Sequence, residues 1–299
     1  MSSAVTWRSA LTVVAALFLV GPAWIAIRSY RAERTGFIPR HRAPRLSSAE
    51  FGIGRLVEVS FQSSAGSRLR GVFAPSSNGA AVILSHGAGG ERSDLAHEAK
   101  ILSDAGFGVL AFDWPGHGQS EGEIRWGEPE RLALAGAVDW LSAEPSIDPG
   151  RIGAFGFSMG GYIVAQGAAR DPRLKAVALA GTPHDAVAHT KWEYRRWGVL
   201  SQWPALLGVR RGGMKMEELV PENVVKDIAP RPVLIVSGSE DDLVPPWMAK
   251  ALFDAARDPK SFLAVPGAGH GHYFEAAPGI YPPALVKFFS RLLQRLSNP

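Results

Sequence analysis

The stretch Gly156-Phe157-Ser158-Met159-Gly160-Gly161 sets a serine among small residues, directly after the apolar run Ile152–Phe157 and ahead of a small-residue stretch with helical character. A serine on a turn from strand to helix has its hydroxyl lifted clear of the sheet. Flanking glycines permit the strained backbone and the close helix–strand approach that such a turn requires. The helix start adds a positive field where negative charge develops during acyl transfer. Gly-x-Ser-x-Gly alone is a weak signal, because a glycine-rich turn with an inert serine has the same composition. Its setting between strand and helix points to a nucleophile.

A serine nucleophile needs a base that is neutral near pH 7, which suits an imidazole. The imidazole in turn needs a carboxylate to fix its tautomer and stabilise its cation. His270 and His272 compete for the first role, and Glu240, Asp241 and Asp242 crowd one loop as candidates for the second. A metal reading of that acid cluster would need further converging oxygen ligands, and the sequence gives no sign of them. With no cysteine in the chain, disulfides, thiolate metal ligands and a cysteine nucleophile are excluded.

These residues need a rigid frame. Leu56–Phe61 alternates as a half-buried strand should, and Leu69–Phe73 is its expected hairpin partner. Ala80–Ser85, Val109–Phe112, Ile152–Phe157, Ala176–Ala180, Val233–Val236 and Phe262–Val265 are short apolar runs, the pattern of strands buried on both faces. Helical stretches lie between them at Asp94–Ala105, Pro129–Ser142, Met159–Ala169 and Pro246–Ala256, with another at Ala284–Leu296. The alternation predicts an α/β fold with a mostly parallel, eight-stranded sheet covered by helices on both faces. Residues 182–229 break the rhythm. They are too long for a plain connection and too aromatic for disorder, so a small, partly helical cap is expected there. Trp192, Trp197 and Trp203 within it are candidates for apolar contact with substrate, and packing of the cap is the plainer role for each.

The N-terminus reads differently. From Ala10 to Ile27 no side chain is charged, which is about the minimum length of a membrane-spanning helix. Trp7 and Trp24 lie near its ends, where aromatics favour the interface. The run exceeds a usual signal-peptide core, and Arg28, Arg31, Arg34, Arg40, Arg42 and Arg45 follow it. Residues 1–27 are therefore expected to be an uncleaved anchor with the basic flank on the cytoplasmic side; a cleaved signal peptide is the alternative. Residues 28–50 read as a basic linker and 51–299 as the folded domain. The formal net charge of +4 owes much to this one stretch, whereas a nucleic-acid footprint spreads over a face of the domain. Nucleic acid is not an expected partner.

From Leu56 to the C-terminus the chain resembles the serine hydrolases of the α/β-hydrolase superfamily, especially the branch of monoglyceride lipases and serine aminopeptidases. Besides the serine turn, Ser85-His86-Gly87-Ala88-Gly89-Gly90 resembles the family's His-Gly loop. Asp113-Trp114-Pro115-Gly116-His117-Gly118-Gln119-Ser120 resembles its turn after the fourth strand. Gly238-Ser239-Glu240-Asp241-Asp242-Leu243-Val244-Pro245 is similar to its acid loop, and Gly267-Ala268-Gly269-His270-Gly271 to its histidine loop. Ser, acid and His fall in the chain order of this fold. The resemblance implies Ser158 as nucleophile, His270 as base and Asp241 as its carboxylate, with Asp242 in reserve. It implies an oxyanion hole from the N–H groups of Met159 and Ala88, and a structural role for His86, tied to backbone. No metal or organic cofactor is implied. The expected activity is hydrolysis of a carboxylic ester, lipid esters included, through an acyl-enzyme. Acyl transfer and peptidase chemistry on the same residues are alternatives, as is a silent binding protein with this fold.

Overall fold

The six apolar runs and the two segments of the expected hairpin become the eight strands of one sheet. In the computed structural model, which describes residues 19–34, 36–44 and 48–293, they are β1 (Val57–Gln62), β2 (Arg68–Ala74), β3 (Ala81–Ser85), β4 (Gly108–Phe112), β5 (Ile152–Phe157), β6 (Leu174–Ala180), β7 (Val233–Gly238) and β8 (Lys260–Val265). Their order across the sheet is β8-β7-β6-β5-β3-β4-β2-β1. β1 and β2 form an antiparallel hairpin, and β2 runs antiparallel to β4. The other pairings are parallel. The hairpin turns because Ser63 Oγ accepts the N–H groups of Ala65 and Ser67, at 3.3 and 3.0 Å.

Full burial follows the sequence pattern. Every residue of β3, β4 and β7 is buried, as strands covered on both faces must be. The covering helices include α2 (Ala96–Asp104), α3 (Glu128–Ser142), α4 (Met159–Arg170), α8 (Pro246–Ala255) and α10 (Tyr281–Phe289), with the short α7 (Pro221–Val224) and α9 (Tyr273–Ala276) ahead of the last two. α2 packs with α10, and α3 packs with α4. α10 ends at Phe289 and a 3-10 turn runs to Leu293; residues 294–296 of the expected last helix lie outside the described residues.

One buried ion pair ties the loops at the carboxyl ends of β3 and β4. Asp113 follows β4 with no exposed side chain, and Arg92 follows the His-Gly loop, 2% exposed. Asp113 Oδ2 accepts from Arg92 Nη1 at 2.6 Å and from the Gln119 N–H at 2.9 Å, while Oδ1 accepts from the Arg92 N–H at 2.7 Å. Burial pushes the Asp113 carboxyl up, and the guanidinium opposes it. Removing one partner of such a pair typically costs about 3–5 kcal/mol, because the other charge is left uncompensated. Nearby, buried His86 donates from Nδ1 to the Gly87 carbonyl at 2.8 Å and accepts the Trp114 N–H on Nε2 at 3.2 Å. Burial brings its imidazole down to about 4, so it stays neutral and can play both parts.

The basic segment departs from the expected tether. Residues 19–34 are helical (α1), which carries regular structure into the segment's first seven residues. Further on, Arg40–His41 pairs in parallel with His117–Gly118. Residues 38–186 and 215–299 form one compact unit, which holds the sheet. Among the described residues the other unit consists of 19–34, 36–37 and 187–214, so only the middle of the expected cap, 182–229, separates from the sheet domain. Within that second unit lie most of α5 (Ala186–Glu193) and all of α6 (Val199–Gly212). α6 meets α1 at Gly208, where a Cβ would stand 2.5 Å from the Tyr30 carbonyl oxygen. Tyr194 donates to Glu33 Oε1 at 2.9 Å, and burial, aided by Glu193, pushes the Glu33 carboxyl up to about 7. Leu19, Val20, Trp24 and Ile27 of α1 are exposed, as are Val199, Leu200, Trp203 and Leu207 of α6. Among the described residues no helix is long and apolar enough to cross a membrane; residues 10–18 of the expected span lie outside them.

Candidate active site

β5 delivers Ser158 to the carboxyl end of the sheet, and the backbone turns sharply there. Ser158 has φ 52° and ψ −116°, a conformation that L side chains rarely adopt. Its N–H donates to the Ala180 carbonyl at 2.9 Å, and α4 begins at the next residue. The two glycines are required by space. A Cβ on Gly156 would stand 2.6 Å from the Gly160 carbonyl oxygen, and one on Gly160 would stand 2.7 Å from that of His86.

His270 arrives on the loop after β8 and Asp241 on the loop after β7. His270 Nε2 lies 3.1 Å from Ser158 Oγ, and Nδ1 lies 2.8 Å from Asp241 Oδ2. A carboxylate only accepts, so Nδ1 carries the proton and Nε2 is left to accept from the serine hydroxyl. Asp241 Oδ1 accepts the N–H groups of Leu243 and Val244 at 3.0 and 2.7 Å, which fixes the carboxylate. The Phe157 ring packs on the imidazole with centroids 4.9 Å apart.

Burial separates the competing residues. The Asp241 side chain is fully buried, whereas Glu240 and Asp242 are exposed beside it. His272 is exposed two residues beyond His270, with φ 55° at the cap of a short helix. The structure thus brings together Ser158, His270 and Asp241 and leaves Asp242 and His272 outside the hydrogen-bonded chain.

Met159 follows the serine in the chain, and the His-Gly loop that carries Ala88 meets it at Gly87. Gly87 lies against Ser158, with a Cβ there standing 3.3 Å from that of the serine. Met159 is the first residue of α4, where a helix leaves its N–H without an internal partner. Among the described residues neither the Ala88 nor the Met159 N–H donates a hydrogen bond. The candidate substrate residues belong to the other unit. Trp192 is half-buried beneath the Arg195 guanidinium, 3.9 Å from its ring centroid, while Trp197 and Trp203 are 61% and 65% exposed. Among the described residues no group of three or more His, Asp or Glu side chains is placed to hold a metal. Arg40 and Arg42 also reach this site, at Gly89 of the His-Gly loop, and the even spread of arginines along 28–45 gives no signal in the sequence that these two differ from the rest.

Comparison with known proteins agrees with this architecture. Residues 80–207 match the family described as alpha/beta hydrolase fold. An uncharacterized protein of Mycobacterium tuberculosis is 31% identical over 87% of this chain and 88% of its own length. The uncharacterized Escherichia coli protein YfhR is 26% identical over 77% of this chain and 79% of its own. Among solved structures, the Pyrococcus furiosus esterase Pf2001 superimposes with a TM-score of 0.72 at 20% identity, covering 86% of this chain and 99% of that one. With this fold, these motifs and these relatives, the chain belongs to the α/β-hydrolase superfamily.

Proposed function

We propose that the protein is a serine hydrolase that cleaves carboxylic esters through Ser158, His270 and Asp241. The hydrogen-bonded chain from buried Asp241 through His270 to Ser158, on a strand-to-helix turn, carries this reading. Ser158 Oγ attacks the acyl carbon while His270 Nε2 takes its proton. The oxyanion develops toward the N–H groups of Ala88 and Met159, and removing one such donor typically costs about 2.7–4 kcal/mol of transition-state stabilisation. The C–O bond then breaks, His270 returns the proton to the leaving alkoxide, and an acyl-enzyme remains. Water, deprotonated by His270, adds to the acyl carbon and releases the acid and Ser158. Asp241 holds the Nδ1 proton throughout and stabilises the imidazolium.

The substrate we propose is an ester presented at a membrane. Support comes from the uncharged run 10–27 with its arginine flank, and from the exposed apolar residues on α1 and α6. Arg196, Arg210 and Arg211 accompany those of α6. Trp192, Trp197 and Trp203 are the proposed apolar contacts, with the catalytic domain on the cytoplasmic side.

A panel of acyl esters, thioesters and peptide amides tests the chemistry. Ester turnover is expected in the wild type and its loss in Ser158→Ala; preferential cleavage of amides, or transfer to an alcohol in place of water, would favour the alternatives. Asp241→Asn is expected to slow ester turnover by about 10⁴-fold, as in a comparable triad, and Asp242→Asn by less than about tenfold on the same scale. The reverse ranking would move the carboxylate role to Asp242. Membranes of the native host washed in carbonate should retain the full chain, and a mature N-terminus near Trp24 would show a cleaved signal peptide instead.

A further inference from the structure

The segment 38–44 holds two arginines against the loop that faces the nucleophile. Arg40 and Arg42 are fixed by their own backbones, whose N–H groups donate to the carbonyls of Gly116 and Gly118, each at 2.8 Å. Arg42 Nη2 donates to the Gly89 carbonyl at 2.7 Å, and its Nε is buried with no hydrogen-bond partner. Arg40 Nη1 lies so near Gly89 that a Cβ on this residue, at φ 64°, would stand 2.6 Å away. Gly89 follows Ala88 directly and lies two residues from Gly87, which abuts Ser158.

Two guanidinium groups therefore sit one residue from a proposed oxyanion donor. Among the described residues no carboxylate pairs with Arg40 or Arg42. The nearest acids in sequence are turned to the backbone of the next helix: Glu91 accepts the Ser93 N–H, and Asp94 Oδ2 accepts the Glu91 N–H. Arg42 is partly buried and spent on Gly89, whereas Arg40 is exposed and keeps its donors for solvent or ligand. A planar guanidinium with unused donors is matched to carboxylate or phosphate oxygens, and a cation beside a cleft raises the local concentration of anionic substrate.

We propose that Arg40, backed by Arg42, forms an anion-recognising subsite beside the oxyanion loop, and that the substrate is an ester carrying a carboxylate or phosphate near its scissile bond. This rests on the hydrolase reading, so neutral esters serve as the internal reference. Two matched pairs of short esters locate the anion. An aryl butyrate and an aryl hemisuccinate differ on the acyl side. Monobutyrylglycerol and its glycerol phosphate counterpart differ on the alcohol side.

With the full chain, wild type is expected to favour the anionic member of at least one pair. Arg40→Gln should lower kcat/KM for that ester by about 10-fold, through KM, and leave the neutral partner within about twofold, as loss of binding common to ground and transition states predicts. Arg40→Lys should retain part of the preference, and added salt should erode it. Equal effects of Arg40→Gln on neutral and anionic esters in both pairs, with neutral turnover still abolished by Ser158→Ala, would overturn the subsite and leave the hydrolase reading standing. Neutral turnover that survives Ser158→Ala would instead strike at the hydrolase reading itself.

Discussion

The site depends on one backbone constraint, the positive φ of Ser158. A non-glycine residue held there costs of the order of 1–3 kcal/mol and persists only where its surroundings over-determine it. Here β5 ends between two parallel neighbours, the Ser158 N–H is fixed on the Ala180 carbonyl, and α4 starts one residue later. Glycines 156 and 160 allow the helix to approach the strand closely enough for that geometry. Relaxing the turn would swing the serine hydroxyl away from His270. The hydrogen bond of 3.1 Å between them is thus set by main-chain strain as much as by either side chain.

A second layer of control comes from buried polar groups that hold loops at the carboxyl end of the sheet. Asp241 is fixed by two N–H groups before it meets His270. Asp113 and Arg92 join the turn after β4 to the 3-10 turn that precedes α2, and neutral His86 bridges its own loop to Trp114. Asp113–Arg92, His86–Trp114 and Asp241–His270 each join one loop to another, so the sheet supplies the platform and the buried polar groups supply the register. Arg40 and Arg42 extend the same device outward, with one guanidinium spent on the Gly89 carbonyl and the other left facing solvent.

Much of this was legible in the residues, for identifiable physical reasons. Six strands write themselves as unbroken apolar runs and the edge strand β1 as an alternating one with β2 as its hairpin partner, so all eight could be read within a few residues. The serine turn was legible because close packing admits only glycine on either side. The choice among Glu240, Asp241 and Asp242 was not readable from composition. It rested on family resemblance, and in the fold the difference is burial, which three adjacent acids do not reveal. The pairing of Arg40–His41 with His117–Gly118 was illegible because a two-residue bridge has no periodicity to detect. The division of the expected cap was hidden for a related reason: α6 packs through small residues such as Gly208 and Gly212, and their neighbours Tyr30 and Phe37 lie far away in sequence.

An activated Ser158 should be labelled covalently by a fluorophosphonate. The wild-type protein, digested and sequenced by mass spectrometry, is predicted to carry the phosphonyl group on the peptide containing Ser158 and on no other. Labelling should vanish in Ser158→Ala and slow sharply in His270→Ala, which removes the base. A folded wild-type protein that resists the probe, or labelling that survives Ser158→Ala unchanged, would contradict the account.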